Sequence, residues 1–293
     1  MNILKLFSTD FYYQIYLRRI FGKKKKNVDL YDLRLNLDQV SPVIFLSTGR
    51  CGTKWIDTVL SEDDTIVSLH HPIPVMRHQA KLAYSFEFNK ATENEKELLK
   101  ELFLAGREDL ILQSKKVGKE LIITDSRTTF FAEIICELFP KAKFVHLHRH
   151  PGEVVRSGLR RKWYASNDQS ELNRITPIKS NELAKKWSSF DLIEKNAWLW
   201  NETNDWILKL FSKIPDSQKH TISFNDWNEE LLSELFAFCG VRMDKSQISK
   251  KLSKKINSQK SVSVSKYKDW SEEDKLKVKA FCSKTAELLG HQL

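Results

Sequence analysis

Residues 47 to 55 read Ser47-Thr48-Gly49-Arg50-Cys51-Gly52-Thr53-Lys54-Trp55 and follow a short apolar run, Pro42 to Leu46. A strand that turns into a helix through glycines aims several backbone N–H groups at one point, and the helix dipole adds partial positive charge there. Arg50, Thr53 and Lys54 add side-chain donors. The chemistry this suits is the binding of a phosphate or a sulfate. The alternative is an ordinary strand-to-helix turn with a glycine cap, and the clustering of Arg, Thr and Lys speaks against it. The nucleotide-triphosphate loop GxxxxGK[ST] is absent, because Gly49 and Gly52 stand too close together.

Two further strand ends carry polar side chains that face a crevice. In KAKFVHLHRHPGEVVRSGLRR, residues 141 to 161, Arg149 leaves a strand and Ser157 falls in the second turn of the following helix. Arg149 offers a permanently charged planar fork suited to phosphate, with the Ser157 hydroxyl as a neutral donor beside it. Arg156 adds positive potential, while Arg160 and Arg161 read as a solvated basic face. His146, His148 and His150 alternate and so share one face of the strand, but no acidic ligand cluster accompanies them, and no metal site is expected. In Thr124-Asp125-Ser126-Arg127, Asp125 is either a general base or a helix cap paired with Arg127. His70 and His71 close another strand before Pro72. They are either candidate bases, since histidine titrates near neutrality, or a polar turn.

The elements that position these groups alternate. Strands are expected at 42–46, 65–69, 120–124, 143–147 and 220–224. Helices are expected at 52–60, 93–105, 129–139, from Pro151 onward with His150 at the cap, over 181–214 with one break, at 228–239 and at 271–290. Short apolar strands between helices are the pattern of an α/β protein with a three-layer architecture, a parallel sheet flanked by helices. In such sheets ligands sit beyond the carboxyl ends of the strands, where the three segments lie. The stretches 72–92 and 163–180 read as irregular walls of a second-substrate pocket, offering Tyr84, Phe86, Phe88, Trp163, Tyr164 and Arg174. Residues 245–268, rich in Lys and Ser, read as a cover or a solvated loop. Trp187, Trp198, Trp200 and Trp206 are expected in the core. Residues 1–40 form an N-terminal helix and basic linker, and 41–293 a single domain.

With 293 residues, 41% of them apolar, the chain can bury a substantial core, and its net charge of +10 fits an anionic partner. The four cysteines are far apart and form no CxxC, so a reducing, cytoplasmic setting is expected. The N-terminus is interrupted by Asp10, Gln14, Arg18 and Arg19 and makes a poor spanning helix and a poor signal peptide. Leu4, Phe7, Phe11, Ile15 and Tyr16 are placed on one face, for packing on the domain or for weak peripheral contact with an acidic membrane.

Together the first two segments resemble the cofactor-binding loops of sulfotransferases that use 3′-phosphoadenosine 5′-phosphosulfate (PAPS). Their order and the Arg149…Ser157 interval carry the likeness. The resemblance implies a P-loop-like sulfotransferase fold over roughly 41–290, with Ser47 to Trp55 as the 5′-phosphosulfate loop and Arg50 at its basic position. It implies that Gly52, Thr53 and Lys54 donate at the helix start, that Trp55 stacks on adenine, and that Arg149 and Ser157 bind the 3′-phosphate. Phe224, in SFNDW, stands where an aromatic approaches adenine. Three features depart from the pattern. His150 replaces the usual Asp or Asn. The glycine-rich C-terminal motif is missing, with Lys266 a partial substitute. The family's catalytic histidine has no clear counterpart, Thr124-Asp125-Ser126 lying in that region.

The expected reaction is transfer of a sulfonyl group from PAPS to a hydroxyl or amine of a small molecule or carbohydrate, leaving 3′,5′-adenosine bisphosphate. Arg50 and Lys54 would stabilise the charge, and His70, His71 or Asp125 would accept the proton. Neither a metal nor a nucleic-acid partner is expected. The rivals are a nucleotide-dependent phosphotransferase and a non-enzymatic basic protein that binds nucleic acid or membrane.

Overall fold

A computed structural model describes residues 9–22, 37–165, 174–253 and 264–293. Five strands, β1 (Val43–Leu46), β2 (Ile66–Leu69), β3 (Glu120–Ile123), β4 (Lys143–His148) and β5 (Lys219–Ser223), form one sheet in the order β2-β3-β1-β4-β5. Every pairing is parallel, with Val43 opposite both Ile122 and Lys143. Successive side chains of a strand point to opposite faces, and β1 divides accordingly. Val43 and Phe45 enter one core with Ile56, Trp198, Trp200 and Phe236, whereas Ile44 and Leu46 enter the other with Phe103, Phe131 and Ile207. Both faces are therefore covered, and the three-layer α/β architecture expected from the strand pattern is present.

The helices are α1 (Thr9–Phe21), α2 (Thr53–Leu60), α3 (Arg77–Phe86), α4 (Glu93–Lys116), α5 (Ala132–Leu138), α6 (Pro151–Arg160), α7 (Leu183–Lys186), α8 (Leu192–Phe211), α9 (Glu229–Phe238), α10 (Lys245–Leu252) and α11 (Glu272–Leu288). The expected long helix over 181–214 breaks before Asp191, which caps α8 by accepting from Glu194 N while Glu194 reaches back to the Asp191 amide.

Three expectations need correction. The stretch 72–92 is not irregular throughout, because it contains α3, whose Met76 cap, Ala80, Ala83 and Tyr84 bury one face at helical spacing. Helix α4 does not stop near 105. It continues through Gly106 and Arg107, which interrupt the apolar periodicity but are both buried. Gly106 is there because a Cβ would lie 2.7 Å from the Met76 sulfur, so α3 and α4 approach closely. The segment 245–268 begins with α10, capped by Asp244 and Gln247 and held on the core by Ile248. Its residues 254–263 lie outside the described ones, as do 166–173 of the expected pocket wall.

Helix α1 packs on the domain. Leu17 is buried, Tyr13, Tyr16, Ile20 and Phe21 lie against the same core, and the Tyr16 hydroxyl accepts from the Ile73 amide at 3.1 Å. The inward face thus runs through 13, 16, 17 and 20, and Ile15, expected on it, is 46% exposed; the side chain of Phe11 lies outside the described ones. Leu4, Phe7 and most of the basic linker lie outside the described residues. Among the described residues no helix is long and apolar enough to cross a membrane.

Candidate active site

The loop after β1 is built from three residues of left-handed backbone, Gly49 (φ 79°), Arg50 (φ 63°) and Gly52 (φ 95°). Glycine is favoured at 52 on two counts: its φ is one that L side chains rarely adopt, and a Cβ would lie 2.5 Å from the Trp227 ring and 2.6 Å from that of Phe224. Arg50 adopts a left-handed conformation without glycine's freedom, a local strain typical of residues held for a task. The loop is tied down from behind, since the Ser47 amide donates to the Thr129 hydroxyl at 3.1 Å and the Thr129 hydroxyl donates to the Ser47 carbonyl at 3.2 Å. Cys51 is wholly buried, its thiol pushed up to about 11 by burial, and it donates to the Gly49 carbonyl. Among the described residues the amides of Arg50, Cys51 and Gly52 make no hydrogen bond. With the open N–H groups of the first turn of α2, they leave a cradle of donors facing the crevice.

The second strand end meets the first. Arg50 Nε donates to the Ser157 hydroxyl at 3.0 Å, and Arg149 Nη1 donates to the Arg50 carbonyl at 3.2 Å. Helix α6 opens with Pro151 at its first position, and Trp200 Nε1 of α8 anchors the Arg149 carbonyl at 2.9 Å. The Arg149 guanidinium lies 4.7 Å above the Phe224 ring, and its buried Nε has no partner among the described residues. Burial, then the charges of Arg161 and Arg149, pull the Arg50 guanidinium down to about 10. Phe224, Trp227 and Trp55 pack in series, with centroids 4.7 Å apart for Phe224–Trp227 and 4.9 Å for Trp55–Trp227. Trp227 sits in the SFNDW segment, but sequence reading singled out only Phe224.

Ser47, Thr48, Gly49, Arg50 and Thr53 floor a cavity of about 390 Å³, and His70 and His71 form part of its wall. His70 Nδ1 lies 3.1 Å from the Thr124 hydroxyl and 3.3 Å from the Thr124 carbonyl. The hydroxyl proton is directed to the Leu69 carbonyl at 3.4 Å, so both oxygens accept. The Nδ1–H tautomer fits, and Nε2 is left as the basic atom. Burial first, then the neighbouring His71, lower the His70 pKa to about 4. His71 is different. Its Nδ1 faces the Asp125 carboxylate at 3.2 Å and Arg127 Nη1 at 2.8 Å, an acceptor and a donor that a single ring nitrogen cannot both satisfy.

Asp125, Lys54 and Lys266 stand apart from the cavity wall. Asp125 has no exposed surface and caps the 3-10 turn Ser126–Phe131 by accepting from the Arg127 amide at 3.2 Å. Burial raises its pKa, but His71 and Arg127 outweigh that and hold the carboxyl below its usual range. Buried Arg107 lies 3.7 Å away on the other side. The cap reading of Asp125 is thus the geometry observed. Lys54 turns from the loop to pair with Asp57 at 2.8 Å. Lys266 is exposed, though its neighbour Tyr267 lays its ring over the first turn of α6, where a Cβ on Gly152 would lie 2.3 Å from it. Arg161, read from sequence as solvated, lines the cavity, as do Arg77 and Lys81 of α3. Trp163 and Arg174, expected in the wall, are there, with the guanidinium 4.2 Å from the indole.

The site is thus a cradle of open backbone donors at the end of the central strand of a parallel sheet, joined by an Arg and a Ser from the neighbouring strand–helix unit. Residues 42–245 match the sulfotransferase family, and the chain belongs to that family. No curated protein matches it in sequence. Among solved structures it is similar to the sulfotransferase domain from the curacin biosynthetic pathway (18% identity, TM-score 0.53, covering 87% of this chain and 99% of that one). It is also similar to the sulfotransferase domain of the Synechococcus PCC 7002 olefin synthase (14%, TM-score 0.52, 87% and 98%). Sulfotransferase STF9 from Mycobacterium avium follows (13%, TM-score 0.51, 90% and 80%). At these identities the likeness is one of fold.

Proposed function

We propose that this sulfotransferase takes its sulfonyl group from PAPS and transfers it to a hydroxyl or amine of a small molecule or carbohydrate. The observation that carries the reading is the joining of two distant segments, with Arg50 bonded to Ser157 and to Arg149 at 3.0 and 3.2 Å. A doubly phosphorylated nucleotide needs two neighbouring anion sites, and the meeting of these two basic segments supports that reading. The open loop amides, Arg50 and Thr53 would hold the 5′-phosphosulfate, Arg149 and Ser157 the 3′-phosphate, and the aromatic series at Phe224 the adenine. The unpartnered Arg149 Nε and the vacant N–H groups fit such a group. When bound, PAPS supplies an activated sulfonyl group on a phosphate leaving group.

The chain's own residues then have separable tasks. Arg50 and the loop amides place fixed positive charge where negative charge grows, and they need no reorganisation at the moment of reaction. The cavity wall holds the acceptor in line, where most of the gain from positioning arises. His70, neutral with a free Nε2, takes the acceptor's proton. Asp125 and Arg127 fix His71 beside it.

Thermal-shift measurements with 3′,5′-adenosine bisphosphate, 5′-AMP and ATP plus Mg²⁺ test the reading. A ligand at 100 times its Kd stabilises by about 2.7 kcal/mol, and the bisphosphate is expected to give the largest shift. Arg149→Ala should remove most of the difference between bisphosphate and 5′-AMP. Equal shifts for those two, or a larger one with ATP and Mg²⁺, would sink the proposal.

A further inference from the structure

Six cationic side chains, Arg50, Arg77, Lys81, Arg127, Arg161 and Arg174, line the cavity, and no Asp or Glu among the described residues lines it with them. Arg50 and the loop amides already serve an anion at its floor. The other five arrive from four places: the first turns of α3, the 3-10 turn after β3, the end of α6, and the start of the segment 174–182. A solvated face would put such charges on one element. Here separate elements converge on one hollow.

Two local features add to this. Arg77 and Lys81 are four residues apart on α3 and so share its face. They occupy a helix start that has no acidic residue in its first turn, where the dipole already disfavours cations. The turn after α6 is also unusual. Lys162 and Tyr164 both have positive φ, 57° and 61°, on either side of Trp163. The strained turn seats Trp163 in the wall under Arg174, whose guanidinium lies 4.2 Å from the indole and 5.5 Å from the Tyr164 ring. An arginine held on two aromatic faces is presented as a fixed donor fork and loses little freedom on binding.

We propose that the acceptor is itself an anion: a ring compound bearing a carboxylate, sulfate or phosphate close to the hydroxyl or amine that is sulfonated, with Arg77, Lys81, Arg161 and Arg174 gripping its acidic group. This rests on the assignment of the cavity as the acceptor side of the sulfotransferase site. The acidic group orients the ring so that the nucleophile faces Arg50 and His70, and it meets positive charge that converges from separate elements.

Matched probe pairs test it: 4-nitrophenyl β-D-glucuronide against the glucoside, and 4-hydroxybenzoate against 4-hydroxybenzamide. Binding is measured by calorimetry in chloride buffer, to protein saturated with 3′,5′-adenosine bisphosphate and to nucleotide-free protein. At least one anionic probe should bind roughly tenfold or more tightly than its neutral partner, the effect of one charge-assisted hydrogen bond. Arg77→Ala and Arg161→Ala change exposed residues and should each erase much of that preference, and Arg77→Ala should do so with affinity for the bisphosphate unchanged. If neither anionic probe outbinds its partner, or if both variants keep the full preference, the inference is overturned. Loss of bisphosphate binding in the wild type, with the anion preference intact, would instead overturn the nucleotide assignment, so the two failures are told apart.

Discussion

His70 and His71 stack with centroids 3.9 Å apart, yet their surroundings assign them different work. Two acceptors fix the His70 proton on Nδ1, whereas His71 is shared between a carboxylate and a guanidinium. His70→Ala should therefore lower kcat by about 10²- to 10⁴-fold, the range for loss of a general base, with bisphosphate affinity nearly unchanged. His71→Ala should act more through KM. A His71 variant that loses kcat beside an active His70 variant would reverse the roles. The pH profile gives a second check. A base must be neutral to work, and His70 is held to about 4 by burial and by His71, so the acidic limb of kcat/KM should fall well below the ordinary histidine value near 6.5. These residues were only half legible in the sequence. Position at a strand end marked His70, His71 and Asp125 equally. What separates them is the partner of each side chain, contributed by residues about 54 positions away.

Strand β4 carries its histidines inward. His146 Nε2 lies 2.8 Å from the Asn204 side-chain oxygen of α8, and His148 Nδ1 lies 2.8 Å from His291 Nε2 beyond α11. Burial holds His146 to about 4 and His148 to about 2. In the unfolded chain both take up a proton near 6.5, so between 6.5 and about 4 the unfolded state binds more protons than the native one. Stability then falls as pH falls, at about 1.4 kcal/mol per pH unit for each histidine kept neutral. Thermal melts should show Tm nearly flat above pH 7 and dropping steeply from 6.5 to 5. Replacing His146 by Asn should flatten that slope, and a slope unchanged by the replacement would show that other groups set it. At the element scale the sequence was most informative where signals are local. The strand–glycine–helix run at 43–60 and the His150-Pro151 start of α6 needed no partner to be read. Helix α3 was hidden by Pro72 and Pro74 just before it. The reach of α4 was hidden by Gly106 and Arg107, whose burial depends on contacts with α3 and Asp125. Arg161 passed for a surface charge because only the turn through Lys162 and Tyr164 shows which way it faces.

At the scale of the molecule, the cradle stands at the end of the central strand, β1, and is completed from both sides. Residues from β4 and α6 bring Arg149 and Ser157, whereas β2 brings the histidines and α3 their cationic wall. This explains why the junction of Arg50 with Arg149 and Ser157 was readable from two motifs and the cationic cavity wall was not. The first depends on spacing within two segments, the second on how α3, α6 and the segment from Arg174 converge. The same sheet order has a consequence for synthesis on the ribosome. Val43–Leu46 pairs with β3 and β4 and never with its sequence neighbour β2. Until residue 148 has emerged, about 100 residues later, four consecutive apolar side chains have no completed place in a sheet. At 5–20 residues per second that wait lasts roughly 5–20 s. A nascent chain stalled near residue 118 should thus be captured by hydrophobic-binding chaperones, and one stalled well past β5 should be released. Equal capture of both would mean that the exposed run is shielded in some other way while the polypeptide is still being made.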